Sequence, residues 1–251
     1  MLKPKKCTVF LFLYVVLTAC SSKKDLIYFS NLDVNQKDKV VFTESKIQPN
    51  DILSVLISSS SPELAVAYNM IQNSSQSSLG YLVNLDGTIT LPILGRFKVV
   101  DLTLTELELM LTKELINDDH LANPIVTARL LNAKFTVLGE VNRPGTYNFT
   151  EQNISLLQAL GYAGDLTIYG KRKNVLIIRE ENNTKNYITL DLTSKDWFNS
   201  PYYYLKPNDV IYVNPNETKV KSAGFIGNFP TFVSLVSVSI STFLTILVLS
   251  K

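Results

Sequence analysis

Few side chains in this sequence could do covalent or acid–base chemistry. The chain has one histidine and two cysteines in 251 residues. His120 follows Asp118-Asp119. Those three could hold a metal ion or form an acid–base pair, but a short polar turn after a helix more simply sits in water, and no catalytic or metal role is expected. Asp51 and Asp86 stand in Pro49-Asn50-Asp51 and Asp86-Gly87, where a carboxylate bonds nearby N–H groups of a turn. The sequence has no Gly-x-Ser-x-Gly elbow, P-loop, Rossmann glycine pattern or His-Glu-x-x-His, so neither an enzyme nor a cofactor is expected. Two features remain. One is the thiol of Cys20, a nucleophile behind an apolar run. The other is a row of hydroxyls at Thr231, Ser234, Ser237, Ser241 and Thr245, recurring at steps of three and four.

The segment before Cys20 has the three parts of a secretory signal over residues 1–19: Lys3, Lys5 and Lys6, the apolar run Val9 to Leu17, then small residues. Leu17-Thr18-Ala19-Cys20-Ser21 resembles the lipobox of bacterial lipoproteins. That resemblance implies that Cys20 is acylated and becomes the first mature residue; an uncleaved anchor or an ordinary signal peptide is the alternative. No aspartate follows the cysteine, which implies the outer rather than the inner membrane. Cys7 leaves with the signal and lipid consumes Cys20, so no thiol, disulfide or Cys-based metal site is expected in the mature chain. Cleavage removes three lysines and no acid, taking the net charge from +2 to −1. A basic nucleic-acid surface is not indicated, and Lys171-Arg172-Lys173 reads as a solvated turn before a strand. Ser21 to Lys39 reads as a polar tether with isolated aromatics, Tyr28 and Phe29.

The hydroxyl row belongs to an uncharged stretch between Lys221 and Lys251. Pro230 to Leu249 is long enough, as a helix, to span about 30 Å, the hydrocarbon thickness of a bilayer. Pro230 suits a first turn and Asn228 could cap it from outside. Phe232, Val236, Phe243 and Leu247 cover much of the rest of the surface. A simple anchor, a packing face of small residues and the lining of a ring of helices all fit these residues.

The body between the two ends reads as α+β. Ile47 to Val55 places a Pro-Asn-Asp turn ahead of a strand at Ile52 to Ile57, and Leu205 to Val213 repeats that pattern. Ser58 to Ser78 reads as a loop, with Glu63 to Met70 possible as helix. Tyr81 to Leu85 and Thr88 to Leu91 flank Asp86-Gly87 and predict a hairpin with positive φ in its turn. Thr103 and Glu106 have capping-box spacing ahead of a Leu104, Leu107, Leu111, Leu115 stripe, predicting a helix to Asn117. Asn123-Pro124 breaks the chain before a strand at Ile125 to Leu131.

Ile47 to Val55, Val83 to Gly95, Leu102-Thr103 and Asn123 to Val126 together resemble the polysaccharide export domain of outer-membrane exporters of the Wza type. Phe135 to Tyr147, followed by Ile154 to Leu166, resembles the soluble-ligand-binding β-grasp (SLBB) domain of the same proteins. In the residues themselves, Pro144-Gly145 reads as a hairpin turn, Ser155 to Gln158 as a capping box and Gly161 as a helix stop. Strands are expected near Val175 to Arg179, Tyr187 to Asp191 and Val210 to Val213. The exporter that gives the type its name carries two β-grasp domains after the export domain, and this chain has room for one.

The expected order is therefore signal peptide 1–19, lipidated tether 20–45, export domain 46–133, SLBB domain 134–214 and C-terminal transmembrane helix 215–251. The resemblance implies a homo-oligomeric ring, its helices forming an α-helical barrel through the outer membrane, with the body in the periplasm. The implied cargo is capsular or exopolysaccharide, and the implied partner is an inner-membrane copolymerase of the tyrosine-kinase type. The alternative is a monomeric envelope lipoprotein that holds a soluble glycan or small ligand in its β-grasp domain. For Trp197, Phe198, Tyr202, Tyr203 and Tyr204, stacking on sugar rings, packing between subunits and coverage of the domain edge all remain open. Asp51 and Asp86 read as turn residues rather than sugar contacts.

Overall fold

The computed structural model describes residues 25–33, 42, 44–69, 80–117, 121–181, 184–223 and 229–249. Cys20, the Asp118-Asp119-His120 cluster and Asn228 lie outside the described residues.

The first unit is a three-stranded antiparallel sheet under one helix. Strand β1 (Ile52–Ser58) lies between β2 (Tyr81–Leu82) and β5 (Ile125–Leu130). Alternation decides the faces: Leu53, Val55 and Ile57 point into the core while Leu56 and Ser58 stay exposed. A short helix, α1 (Pro62–Ala65), continues as a 3-10 turn over Val66–Tyr68. The expected capping box is present: Thr103 N–H donates to Glu106 Oε2 (2.7 Å) and Glu106 N–H to Thr103 Oγ1 (3.1 Å). It opens α2 (Leu104–Asn117), whose Leu107, Leu111 and Leu115 are fully buried against the sheet.

The Asp86-Gly87 turn forms, with Gly87 at φ +75°, but the strands pair differently from the expectation. Residues β2 join β1, and Thr88–Leu91 (β3) pairs with Gly95–Lys98 (β4) around Pro92-Ile93-Leu94. Asn84 N–H to Thr88 O (2.9 Å) and Gly87 N–H to Asn84 O (2.8 Å) close the Asp-Gly turn itself. The turn reverses the chain, and burial of Tyr81 and Val83 beside β1 selects the partner.

The second unit is a five-stranded mixed sheet of order β10-β9-β12-β6-β7. Its strands are β6 (Lys134–Gly139), β7 (Gly145–Asn148), β9 (Gly170–Glu181), β10 (Thr184–Leu190) and β12 (Val210–Pro215). Strands β12 and β6 run parallel; the other neighbours are antiparallel. A two-stranded ladder of β8 (Ile154–Ser155) and β11 (Tyr204–Leu205) leads into α3 (Leu156–Tyr162). The Ser155 and Gln158 capping box is complete. Phe135, Val137, Leu156, Ile177, Leu192 and Ile211 form the core.

Two glycine expectations are corrected here. Gly145 lies within β7, and the positive φ of that connection falls on Gly139 (φ +89°), where a Cβ would sit 2.1 Å from Val213 O. Gly161 lies inside α3; the chain leaves the helix through Gly164 and Asp165, both left-handed, with Asp165 N–H bonded to Leu160 O (2.8 Å). The Lys171-Arg172-Lys173 expectation is also overturned. These residues are in β9, and Arg172 is buried, donating from Nη1 to Thr167 O and Gly170 O (3.1 Å each). Alternation along the strand turns Arg172 inward and leaves the neighbouring lysine outside.

The chain ends in two helices, α4 (Glu217–Ser222) and the 21-residue α5 (Phe229–Leu249). Among the described residues no helix is long and apolar enough to cross a membrane, so the transmembrane helix expected over 215–251 is not seen there; that stretch carries two separate helices, α4 and α5. The side chains at positions 229–232, 243, 244 and 247 of α5 lie outside the described set.

Candidate functional site

The repeated Pro-Asn-Asp corners are built alike. Asn50 (φ 71°) and Asn208 (φ 68°) are left-handed, a conformation asparagine tolerates. Each following aspartate turns back on its own corner: Asp51 Oδ2 accepts from Gln48 N–H and Asp209 Oδ2 from Lys206 N–H, both at 2.8 Å. Both carboxylates are buried. They differ in compensation. Asp209 receives a two-pronged Arg179, Nε to Oδ1 at 3.0 Å and Nη2 to Oδ2 at 2.7 Å. Burial pushes its carboxyl up, and the guanidinium opposes that push. Among the described residues no cation pairs with Asp51, and burial raises it to about 6.

Arg179 was not singled out in the sequence, yet it organises this corner. Its remaining donors reach Pro201 O (3.1 Å) and Tyr204 O (2.9 Å), and its guanidinium lies 4.6 Å from the Tyr202 ring centre. The available signal was an arginine ending the apolar run Val175 to Ile178. Register does the rest: Ile178 pairs with Val210, which sets Arg179 opposite Asp209. This buried pair is structural, because every oxygen and nitrogen in it is occupied by its neighbours. Asp86 is a turn residue as expected. Its Oδ1 accepts from Thr88 Oγ1 (2.6 Å) and Thr88 N–H (3.0 Å), and those bonds hold its carboxyl below the usual range.

The aromatic cluster is occupied by the chain itself. Phe29 of the expected tether packs on Phe198 (5.1 Å between centroids) and Trp197 (6.2 Å), and Trp197 meets Tyr203 at 5.7 Å. Residues 25–33 are therefore a strap docked on the second unit rather than a free tether over that length. Phe29 N–H bonds Leu192 O (3.2 Å) and Ser30 N–H bonds Thr193 O (2.7 Å). Tyr28 Oη donates to Asp165 Oδ1 (2.5 Å), with its ring 5.5 Å from the Arg172 guanidinium, and Lys173 pairs with Asp25 at 2.6 Å. Burial, reinforced by Asp165, raises the Tyr28 phenol above its ordinary range. Polar composition concealed this docking in the sequence, and the adjacent aromatics Tyr28-Phe29 were its only signal.

In α5 the hydroxyl row is retained on a helix. At about 100° per residue, Ser234, Ser237, Ser241 and Thr245 share one face, and Thr231 belongs to the same row by position. Within the row Ser237 donates to Ser234 O and Thr245 to Ser241 O, both at 2.8 Å; off the row Ser239 donates to Leu235 O at 2.8 Å. Thr242 does the same toward Val238 O (3.0 Å) and Ser239 O (2.9 Å). Donors spent this way leave oxygen lone pairs pointing outward, a weakly polar surface without charge. Among the described residues no group of three His, Cys, Asp or Glu side chains could hold a metal ion.

Two family models match the chain. One, described as polysaccharide biosynthesis/export protein, covers residues 41–131; the other, described as SLBB domain, covers residues 133–213. Together they take in about two thirds of the chain, and they meet where β5 ends and β6 begins. Both are export-type rather than enzymatic modules.

Proposed function

We infer the function from the family to which this chain belongs, the polysaccharide export proteins of the Wza type with a single SLBB domain. The protein takes part in moving polysaccharide out of the cell, and we assign it the part of an outer-membrane lipoprotein whose copies close into a channel. The observation that carries this reading is the joining of the two matched domains to an uncharged helix with hydroxyls along one face.

The physical case is one of solvation. A hydrophilic polymer needs a continuous polar path, and one helix cannot supply it. Several copies of α5 side by side place Ser234, Ser237, Ser241 and Thr245 toward a common axis, with their apolar faces toward lipid. Backbone groups stay bonded within each helix, as hydrocarbon requires. Ser237 and Thr245, which already donate to their own backbone, offer acceptors to passing sugar hydroxyls without binding them tightly. Acylation at Cys20 holds the other end, with export and SLBB domains in the periplasm. Capsular or exopolysaccharide is the cargo and an inner-membrane copolymerase of the tyrosine-kinase type the partner, both assigned through the family.

Electron microscopy and sizing of the detergent-purified lipoprotein test this. A ring with a helical barrel is the expected result. A monomer with affinity for a soluble glycan would replace this reading with that of a binding module. Thiol labelling of Ser234→Cys and Ser241→Cys tests the lining: water-soluble reagents should reach both, and protection by acyl chains would remove the mechanism.

A further inference from the structure

We propose that one end of the SLBB domain is a lipid-facing surface that rests on the phospholipid leaflet; the proposal rests on the reading of Cys20 and α5 as membrane attachments. Three neighbouring segments build this end. The strap is the first: Tyr28 and Phe29 turn inward onto the domain, while Leu26 and Ile27 remain 43% and 55% exposed. The Asp165–Tyr169 turn is the second, joined to the strap by the Tyr28–Asp165 bond and presenting Ile168 at 66% exposure. The third is α4, joined to that turn by Asn216 N–H to Tyr169 O (2.7 Å) and by Lys219 Nζ, 5.3 Å from the Tyr169 ring centre. It presents Val220 at 58% exposure between Lys219 and Lys221.

What covers these apolar side chains follows from where the chain goes next. Cys20 stands five residues before Asp25, a reach of at most about 18 Å fully extended. Phe229, where α5 begins, stands seven residues after Ser222, at most about 25 Å. Both attachments therefore leave from this one end of the domain on short leads, and that end cannot turn away from the leaflet they enter. Its chemistry suits a headgroup boundary. Isolated aliphatics reach the acyl edge, the Tyr169 ring offers an amphipathic body, and two lysines are held only loosely, Lys219 by Glu140 at 3.7 Å and Lys221 by Glu217 at 4.0 Å.

Once Cys20 is acylated the mature chain has no other cysteine, so a single introduced thiol reports one position. Full-length Ile27→Cys, Ile168→Cys and Val220→Cys, each carrying an environment-sensitive fluorophore, would be reconstituted in phosphatidylethanolamine–phosphatidylglycerol vesicles with a quencher on the upper acyl chain. Leu85→Cys, exposed in the export domain, is the water control, and Ile246→Cys in α5 the membrane control. The three sites should be quenched severalfold more strongly than Leu85→Cys. Quenching equal to that control, with Ile246→Cys still quenched, overturns the surface and leaves the channel reading standing. A blue shift without quenching also overturns it, by placing the sites against protein. Loss of quenching at Ile246→Cys together with failure of the protein to float with vesicles removes both.

Discussion

Asp51 should make the export domain lose stability as pH rises toward neutrality, and Asp51→Asn should abolish that loss. The side chain is 5% exposed and receives the Gln48 N–H but, unlike Asp209, meets no arginine among the described residues. Burial raises its carboxyl from 3.8 to about 6. The sign follows from proton counting. Between about pH 4 and pH 6 the folded chain holds a proton that the unfolded chain has released, so stability is greatest below pH 4 and falls until the folded group ionises. Two pKa units correspond to about 3 kcal/mol, an upper bound because water penetration and relaxation soften buried charges. Asparagine keeps an oxygen for the Gln48 N–H and carries no titration. Any fixed cost of burying its amide is the same at every pH. The quantity to measure is therefore the difference between variant and wild type, which should move by about 2–3 kcal/mol in favour of Asp51→Asn from pH 4 to pH 7. Hydrogen-exchange mass spectrometry on peptides covering β1 and β5 reads it, each pair compared at one pH so that intrinsic exchange cancels. A difference that stays flat across this range, or moves the other way, refutes the reasoning.

Four other outcomes are expected. Arg179→Met leaves Asp209 buried without its cation and should cost about 3–5 kcal/mol in urea unfolding followed at Trp197, whereas Arg179→Leu with Asp209→Leu should recover most of the loss. Gly139→Ala places a Cβ against Val213 O at a positive φ and should destabilise the SLBB domain by at least about 2 kcal/mol in the same assay. Phe29→Ala should free the strap, costing about 1 kcal/mol and shifting Trp197 emission to the red; unchanged emission would mean that the strap does not shield the indole. Changing all seven hydroxyl residues from Thr231 to Thr245 to leucine should strand the protein in the inner membrane during secretion, and unchanged fractionation would count against the role given to the hydroxyls.

What was legible in the chain follows the range of the forces involved. Both capping boxes, both Pro-Asn-Asp corners and the leucine stripe of α2 are closed by bonds three or four residues apart, so residue type and spacing suffice to read them. The pairing of β2 with β1 is not local. Asp86-Gly87 reverses the chain whichever strands pair, and the choice is made by apolar area that Tyr81 and Val83 bury across a gap of about thirty residues. Arg172 and Arg179 show the same limit. Both lie in β9 seven residues apart, so strict alternation would set them on opposite faces; the register shift facing Val213 and Pro215 lets both turn inward, and spacing does not announce that a guanidinium will find an aspartate or two carbonyls there. The strap is the extreme case. Its backbone bonds to Leu192 and Thr193 span more than 160 residues, and its composition alone signals a tether. The candidate channel face divides in the same way. A row of hydroxyls at helical spacing is written in one segment, whereas the surface it turns to is set by other copies of the chain. That is why the decisive measurements on α5 are those made on the assembled protein in lipid, and why a variant of the isolated segment would answer a different question.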